Sequence, residues 1–114
     1  LDEVSPSGLT YVAELRDGMV REYQVSLEAL GVTPIELDDI KVPDLEAAVR
    51  VFRGALSGGH SSGKTAVVLN AGASFYTLDM VTTLGEGVDL AVTTIESGGA
   101  EAKLNEFIAF THRD

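Results

Sequence analysis

Residues 65–80, TAVVLNAGASFYTLDM, read as a helix with almost no face suited to water. Its polar interior positions, Asn70, Ser74 and Thr77, follow one another at helical spacing and fall in a single stripe. Everything else is apolar or small. A helix of that composition is a buried one, so neighbouring elements must wrap it. Gly72, between Ala71 and Ala73, costs a helix interior about 0.8–1 kcal/mol relative to alanine, which is expected where another backbone comes close. Ser61 and Ser62 ahead of the stretch and residues 79–83 behind it supply start and stop signals.

Working outward, the segment before this helix also has a helical period. Leu45, Ala48, Val49, Phe52 and Leu56 form a stripe, Asp44 and Glu46 sit in the first turn, Glu46 precedes Arg50 in the favourable ion-pair order, and Gly58 and Gly59 end the element. After it, Thr83 and Glu86 have capping-box spacing for a helix with the stripe Leu84, Val88, Ala91 and Ile95, closed by Ser97, Gly98 and Gly99. A last helix from about Ala100 would turn Leu104, Phe107, Ile108 and Thr111 inward and end on the cations His112 and Arg113. Upstream the period changes to two. Leu9–Arg16 alternates, with Leu9, Tyr11, Ala13 and Leu15 on one side, and predicts a half-buried strand. Asp17-Gly18 then marks a two-residue hairpin turn, because both positions need positive φ, and Met19–Val25 returns. Ser26 could cap one turn through Leu30, stopped by Gly31, and residues 33–42 are an irregular link.

The order is a β-hairpin followed by four helices, which is α+β as it stands. One hairpin is too little sheet to cover a nearly all-apolar helix. Together with a first residue, Leu1, that is not methionine, this predicts a fragment of a larger α/β unit with strands upstream. A length of 114 residues fits one domain with a modest core. The net charge of −10 argues against nucleic acid and anionic membrane surfaces, which want clustered Lys and Arg. With no cysteine, disulfides and thiolate metal sites are excluded. No apolar run or leader suggests a membrane span or export, so a cytoplasmic location is expected.

Three features could carry chemistry. Gly58, Gly63, Lys64 and Thr65 in GGHSSGKT satisfy the phosphate-loop pattern. That loop needs a strand feeding it, so that backbone amides and the next helix's N-terminus converge on phosphates. Here the approach is helical, and an ordinary helix-to-helix turn with a capping serine is the expected reading. Asp2 and Glu3 are adjacent carboxylates on a loop closed by Ser5, Pro6 and Gly8. Hard cations such as magnesium take one or two such carboxylates, completed by substrate phosphates and water; a solvated acidic loop is the plainer alternative. Asn70 could orient a ligand or bridge backbone groups, as buried polar side chains must find partners. His60 and His112 have no metal-ligand spacing.

The opening LDEVSPSG, the strand and turn TYVAELRDG, and above all AVVLNAGASFYT followed by LGEGVDLAVTTIESGGAEAKLNEFIAF resemble the C-terminal part of anthranilate phosphoribosyltransferases, along essentially the whole chain. The resemblance implies an α/β catalytic domain shared with pyrimidine nucleoside phosphorylases, with residues 1–114 as its C-terminal portion. The family's helical N-terminal domain, through which it forms homodimers, and its phosphate and substrate loops would lie upstream. It implies a reaction joining anthranilate to phosphoribosyl pyrophosphate in tryptophan biosynthesis. The family's adjacent magnesium-holding Asp and Glu match Asp2 and Glu3, and no other residue here matches a catalytic one. A fragment of this kind would be inactive alone. A nucleoside phosphorylase fragment and a noncatalytic packing module are the alternatives.

Overall fold

The computed structural model describes residues 3–59 and 61–112. Strands β1 (Thr10–Arg16) and β2 (Met19–Val25) form an antiparallel hairpin, followed by helices α1 (Leu45–Leu56), α2 (Ser62–Thr77), α3 (Leu84–Glu96) and α4 (Gly99–Thr111). Single 3-10 turns, Glu28–Leu30 and Leu37–Ile40, punctuate the link between hairpin and α1. The turn chemistry is as the sequence predicts. Asp17 and Gly18 have φ of 53° and 75°, and Arg16 pairs with Met19 across them. Ser26 Oγ accepts from the Ala29 amide, and Gly31 ends that turn at φ 68°.

α2 is the hub. Between Ser61 and Ala73 no described residue is exposed, and Gly63, Val68, Leu69 and Gly72 are buried. Val68 and Leu69 form the core with Leu27 and with Val88, Ala91 and Ile95 of α3. Burying a side chain the size of Leu69 stabilises the fold by about 1.5–3 kcal/mol. The close approach expected at Gly72 is present. A Cβ built there would lie 2.7 Å from the Val88 backbone nitrogen, and one at Gly87 would lie 2.3 Å from the Gly72 carbonyl oxygen. Backbone therefore packs on backbone where the two glycines face each other. On α2's other side a Cβ at Gly63 would meet Val51 Cγ1 at 3.1 Å and Ala55 Cβ at 3.2 Å, so α1 also approaches through small residues.

Helix ends follow their signals. Asp44 caps α1 through the Ala47 amide at 2.8 Å, and Ser61 caps α2 through Lys64 at 3.2 Å. Thr83 and Glu86 form the expected reciprocal capping box on α3. α2 stops at Thr77 rather than Met80, with Asp79 left-handed at φ 53°.

Three faces depart from expectation. On α1 the buried residues are Ala47 and Ala55, while Leu45 is 79% and Phe52 52% exposed; small residues win because only they allow the approach to Gly63. On β1 the half-covered side is Thr10, Val12 and Glu14, and Tyr11 and Leu15 face outward. The polar side is covered because Glu14 and Arg16 find partners on α2 and just beyond its end. On α4 no residue is fully buried: Leu104 and Ile108 of the expected stripe are half-buried, whereas Phe107 and Thr111 are exposed, and Ala100 at its start packs on the core. The radius of gyration, 15.4 Å, exceeds the roughly 13 Å of a closed domain this long, in keeping with these open apolar faces.

Candidate functional site

The opening loop is tied down directly behind the predicted metal ligands. Val4 donates its amide to Asn70 Oδ1 at 2.9 Å, and Asn70 Nδ2 donates to the Val4 carbonyl at 3.2 Å and to Ala66 O at 2.9 Å. The amide orientation is determined by this pattern, since a flipped side chain would set its oxygen against two carbonyls. Val4 also packs on the core, Ser5 N donates to Thr10 Oγ1 at 3.4 Å, and Ile35 N donates to the carbonyl of buried Pro6 at 3.0 Å. Backbone bridging, one of the two roles expected for Asn70, is thus what it does. The remaining members of its stripe, Ser74 and Thr77, return their hydroxyls to their own helix, at Asn70 O and Ala73 O.

Of the expected ligands, Glu3 stands exposed at the start of this loop, and its carboxylate makes no hydrogen bond or ion pair among the described residues. Asp2 lies outside the described residues. No group of three or more His, Cys, Asp or Glu gathers among the described residues. Carboxylate donors as such suit a hard cation that completes its shell from phosphate and water.

Beside the loop, the covered face of β1 meets the end of α2 in a polar network that bounds a half-open cavity of about 380 Å³. Tyr76 donates its hydroxyl to Glu14 Oε1 at 2.7 Å, and Tyr23 donates to Glu14 Oε2 at 3.2 Å. Arg16 donates to the Tyr76 oxygen at 3.1 Å and to Asp79 at 2.7 Å, with its guanidinium 5.5 Å over the Tyr76 ring. Tyr76's hydrogen bond, then that of Tyr23 and the charge of Arg16, hold the Glu14 carboxyl below the usual carboxylate range. Burial and the bond to Glu14 push the Tyr23 hydroxyl up. The alternation of β1 places Glu14 and Arg16 on one side; their partners at Tyr76 and Asp79, about 60 residues on, have no local sequence signal.

The phosphate-loop pattern is not built as one. α1, a helix, feeds the loop, Ser61 caps α2, and Lys64 Nζ is engaged by Glu96 at 3.0 Å. His60 lies outside the described residues. His112 meets Ile108 O through Nδ1 at 2.8 Å, the helix-end role expected of it, whereas Arg113 is outside the described residues. Among the described residues no helix is long and apolar enough to cross a membrane.

A two-stranded hairpin laid against a layer of helices is an open α/β arrangement. Residues 1–101 match the glycosyl transferase family, a/b domain, and the chain belongs to that family. Within it, the chain is 38% identical over 113 residues to the anthranilate phosphoribosyltransferase of Delftia acidovorans, covering 99% of this chain and 33% of that protein. It is 41% identical over 115 residues to that of Stutzerimonas stutzeri, covering 97% and 33%. The crystal structure of anthranilate phosphoribosyltransferase from Thermus thermophilus matches with a TM-score of 0.86 at 31% identity, over 99% of this chain and 33% of that one. The chain thus spans about a third of the length of these relatives. The resemblance drawn from the quoted stretches holds, and the hairpin and four helices are part of an α/β phosphoribosyltransferase fold.

Proposed function

We propose that this chain is the C-terminal portion of a magnesium-dependent anthranilate phosphoribosyltransferase, acting in the cytoplasm as a homodimer in tryptophan biosynthesis. The observation that carries this reading is the family match along nearly the whole chain, which includes the opening acidic pair and the loop held at Val4. Anthranilate and phosphoribosyl pyrophosphate would be the substrates. Asp2 and Glu3 would hold the magnesium, which when bound neutralises charge on the departing pyrophosphate. The ties at Val4, Ser5 and Pro6 supply a fixed backbone for those carboxylates, and α1–α3 supply the packing layer behind it. No covalent step is asked of this chain; its contribution is positioning and electrostatics. The groups that grip sugar phosphate and anthranilate would lie in the two-thirds of the relatives' length that it does not cover, so residues 1–114 alone should be inactive.

The test follows loss of anthranilate fluorescence with phosphoribosyl pyrophosphate and magnesium, using the complete protein, the 114-residue chain, and the complete protein carrying Asp2→Asn with Glu3→Gln. Turnover by the complete protein only, falling at least about 100-fold in the double variant, is expected. Phosphorolysis of a pyrimidine nucleoside without anthranilate turnover would assign the chain to the related phosphorylases instead.

A further inference from the structure

We propose that Asn70 is a positioning residue for the acidic pair, setting where Asp2 and Glu3 can present their carboxylates although it contacts no substrate itself. This inference rests on the metal-holding reading above. Asn70 grips both polar groups of the Val4 backbone, at 2.9 and 3.2 Å, from the middle of the most buried helix of the fold. A third bond, Nδ2 to Ala66 O at 2.9 Å, fixes the side chain against its own helix. The grip falls on the residue immediately after Glu3. With Val4 N and O both fixed, the peptide group that joins Glu3 to Val4 is held in a defined orientation against α2. Glu3 itself has no hydrogen bond or ion pair among the described residues, so no described side chain performs that task in place of Asn70. The ties at Ser5 and Pro6 lie further from the carboxylates and leave the Val4 peptide groups unheld.

Other contacts separate this role from ordinary stability. Ser74, one turn along the same stripe, bonds only its own helix at Asn70 O. Val88, packed on the same helix from the other side, belongs to the core and not to the loop. Asn70→Ala removes the grip; Val88→Ala should cost comparable stability without touching Val4. Asn70→Asp is close to isosteric and keeps an acceptor for the Val4 amide, but sets a carboxylate oxygen against two carbonyls. It also brings a negative charge near the acidic pair. Coulomb attraction alone would then tighten cation binding, whereas loss of positioning weakens it.

Manganese(II) pyrophosphate is titrated into the complete protein and binding read by water-proton relaxation, with unfolding midpoints measured alongside. Removing a group that orients a metal ligand typically costs 10–100-fold in affinity, so Asn70→Ala should weaken binding at least about 10-fold. Asn70→Asp should weaken it as well, while Ser74→Ala and Val88→Ala stay within about 2-fold of the parent. Should Asn70→Ala not fold, the sign of the change in Asn70→Asp decides. Unchanged or tighter binding in a folded Asn70 variant, with binding lost in Asp2→Asn/Glu3→Gln, would overturn the positioning role and leave the metal reading intact. Binding indifferent to Asp2→Asn/Glu3→Gln would overturn both.

Discussion

Gly72→Ala sets two well-calibrated effects against each other at one atom. In a helix interior, glycine to alanine gains about 0.8–1 kcal/mol from backbone propensity. At Gly72 the added methyl would lie 2.7 Å from Val88 N and 2.9 Å from both Gly87 C and Val88 Cα, about 0.7 Å inside the shortest ordinary contact of 3.4 Å. These are backbone atoms of α3 and cannot rotate away. The helices must part, loosening Val88 and Leu69, which are 2% and 1% exposed. Overpacking of this kind costs about 1–3 kcal/mol and more where backbone must move, so after the propensity gain of about 0.8–1 kcal/mol the net change should be a loss of up to about 2 kcal/mol, larger if the α3 backbone shifts. Gly54 on α1 provides the counterpart, because a Cβ there meets nothing within 4 Å. Gly54→Ala should therefore raise stability by about 0.5–1 kcal/mol. Urea and thermal unfolding followed by circular dichroism reads both, at about 4 °C per kcal/mol for a chain of this size. Equal stabilisation by the two substitutions would refute the claim that the glycine contact sets the α2–α3 distance.

Acid stability and local opening give two further expected outcomes. Glu86 is held below the usual carboxylate range, first by the Thr82 hydroxyl and then by the Thr82 and Thr83 amides, and Glu14 is lowered chiefly by Tyr76. A depressed folded pKa contributes stability that is present above the unfolded value of about 4.3 and lost as pH falls through the lower folded values. Urea midpoints should accordingly fall below about pH 4.3, and Glu86→Gln should lower the neutral-pH midpoint while flattening that acid limb; an acid limb identical to the parent's would count against the capping carboxylate. In hydrogen exchange, amides 67–75 of α2 should open only near the global limit, whereas α4, with no buried residue, should exchange earlier. Equal protection of the two helices would mean that α4's open faces are covered in solution.

The element order was legible because each signal is local. The hairpin turn needs only Asp17-Gly18, the capping box only Thr83 and Glu86, and the buried character of α2 is its composition. A close backbone approach at Gly72 was legible too, since glycine in a helix interior has a cost that a close neighbour explains; that the neighbour is α3 was not. Face assignment failed where the deciding partner is distant. On α1, hydropathy favours Leu45, Val49 and Phe52, but the approach distance to Gly63 selects Ala47, Val51 and Ala55. On β1, alternation separates the two sides correctly yet cannot rank them, because Glu14 and Arg16 are drawn inward by Tyr76 and Asp79.

The candidate site divides along the same line. Asp2 and Glu3 stand out as an adjacent acidic pair, but nothing in two carboxylates distinguishes a ligand from a solvated loop; the proposed metal-holding role rests on the family resemblance. What spacing could not reveal is how the loop following the pair is held, since Val4 and Asn70 are 66 residues apart. The composition of α2 nevertheless contained a hint. In a helix otherwise apolar or small, a half-buried amide must satisfy both donor and acceptor groups. Its own helix offers Asn70 the Ala66 carbonyl, leaving an acceptor oxygen and a second N–H to be met from outside. A backbone segment offering one N–H and one C=O on the same side meets both needs at a single residue. The organising helix of the fold is thus also the support of the loop at Val4, through the side chain of Asn70 itself.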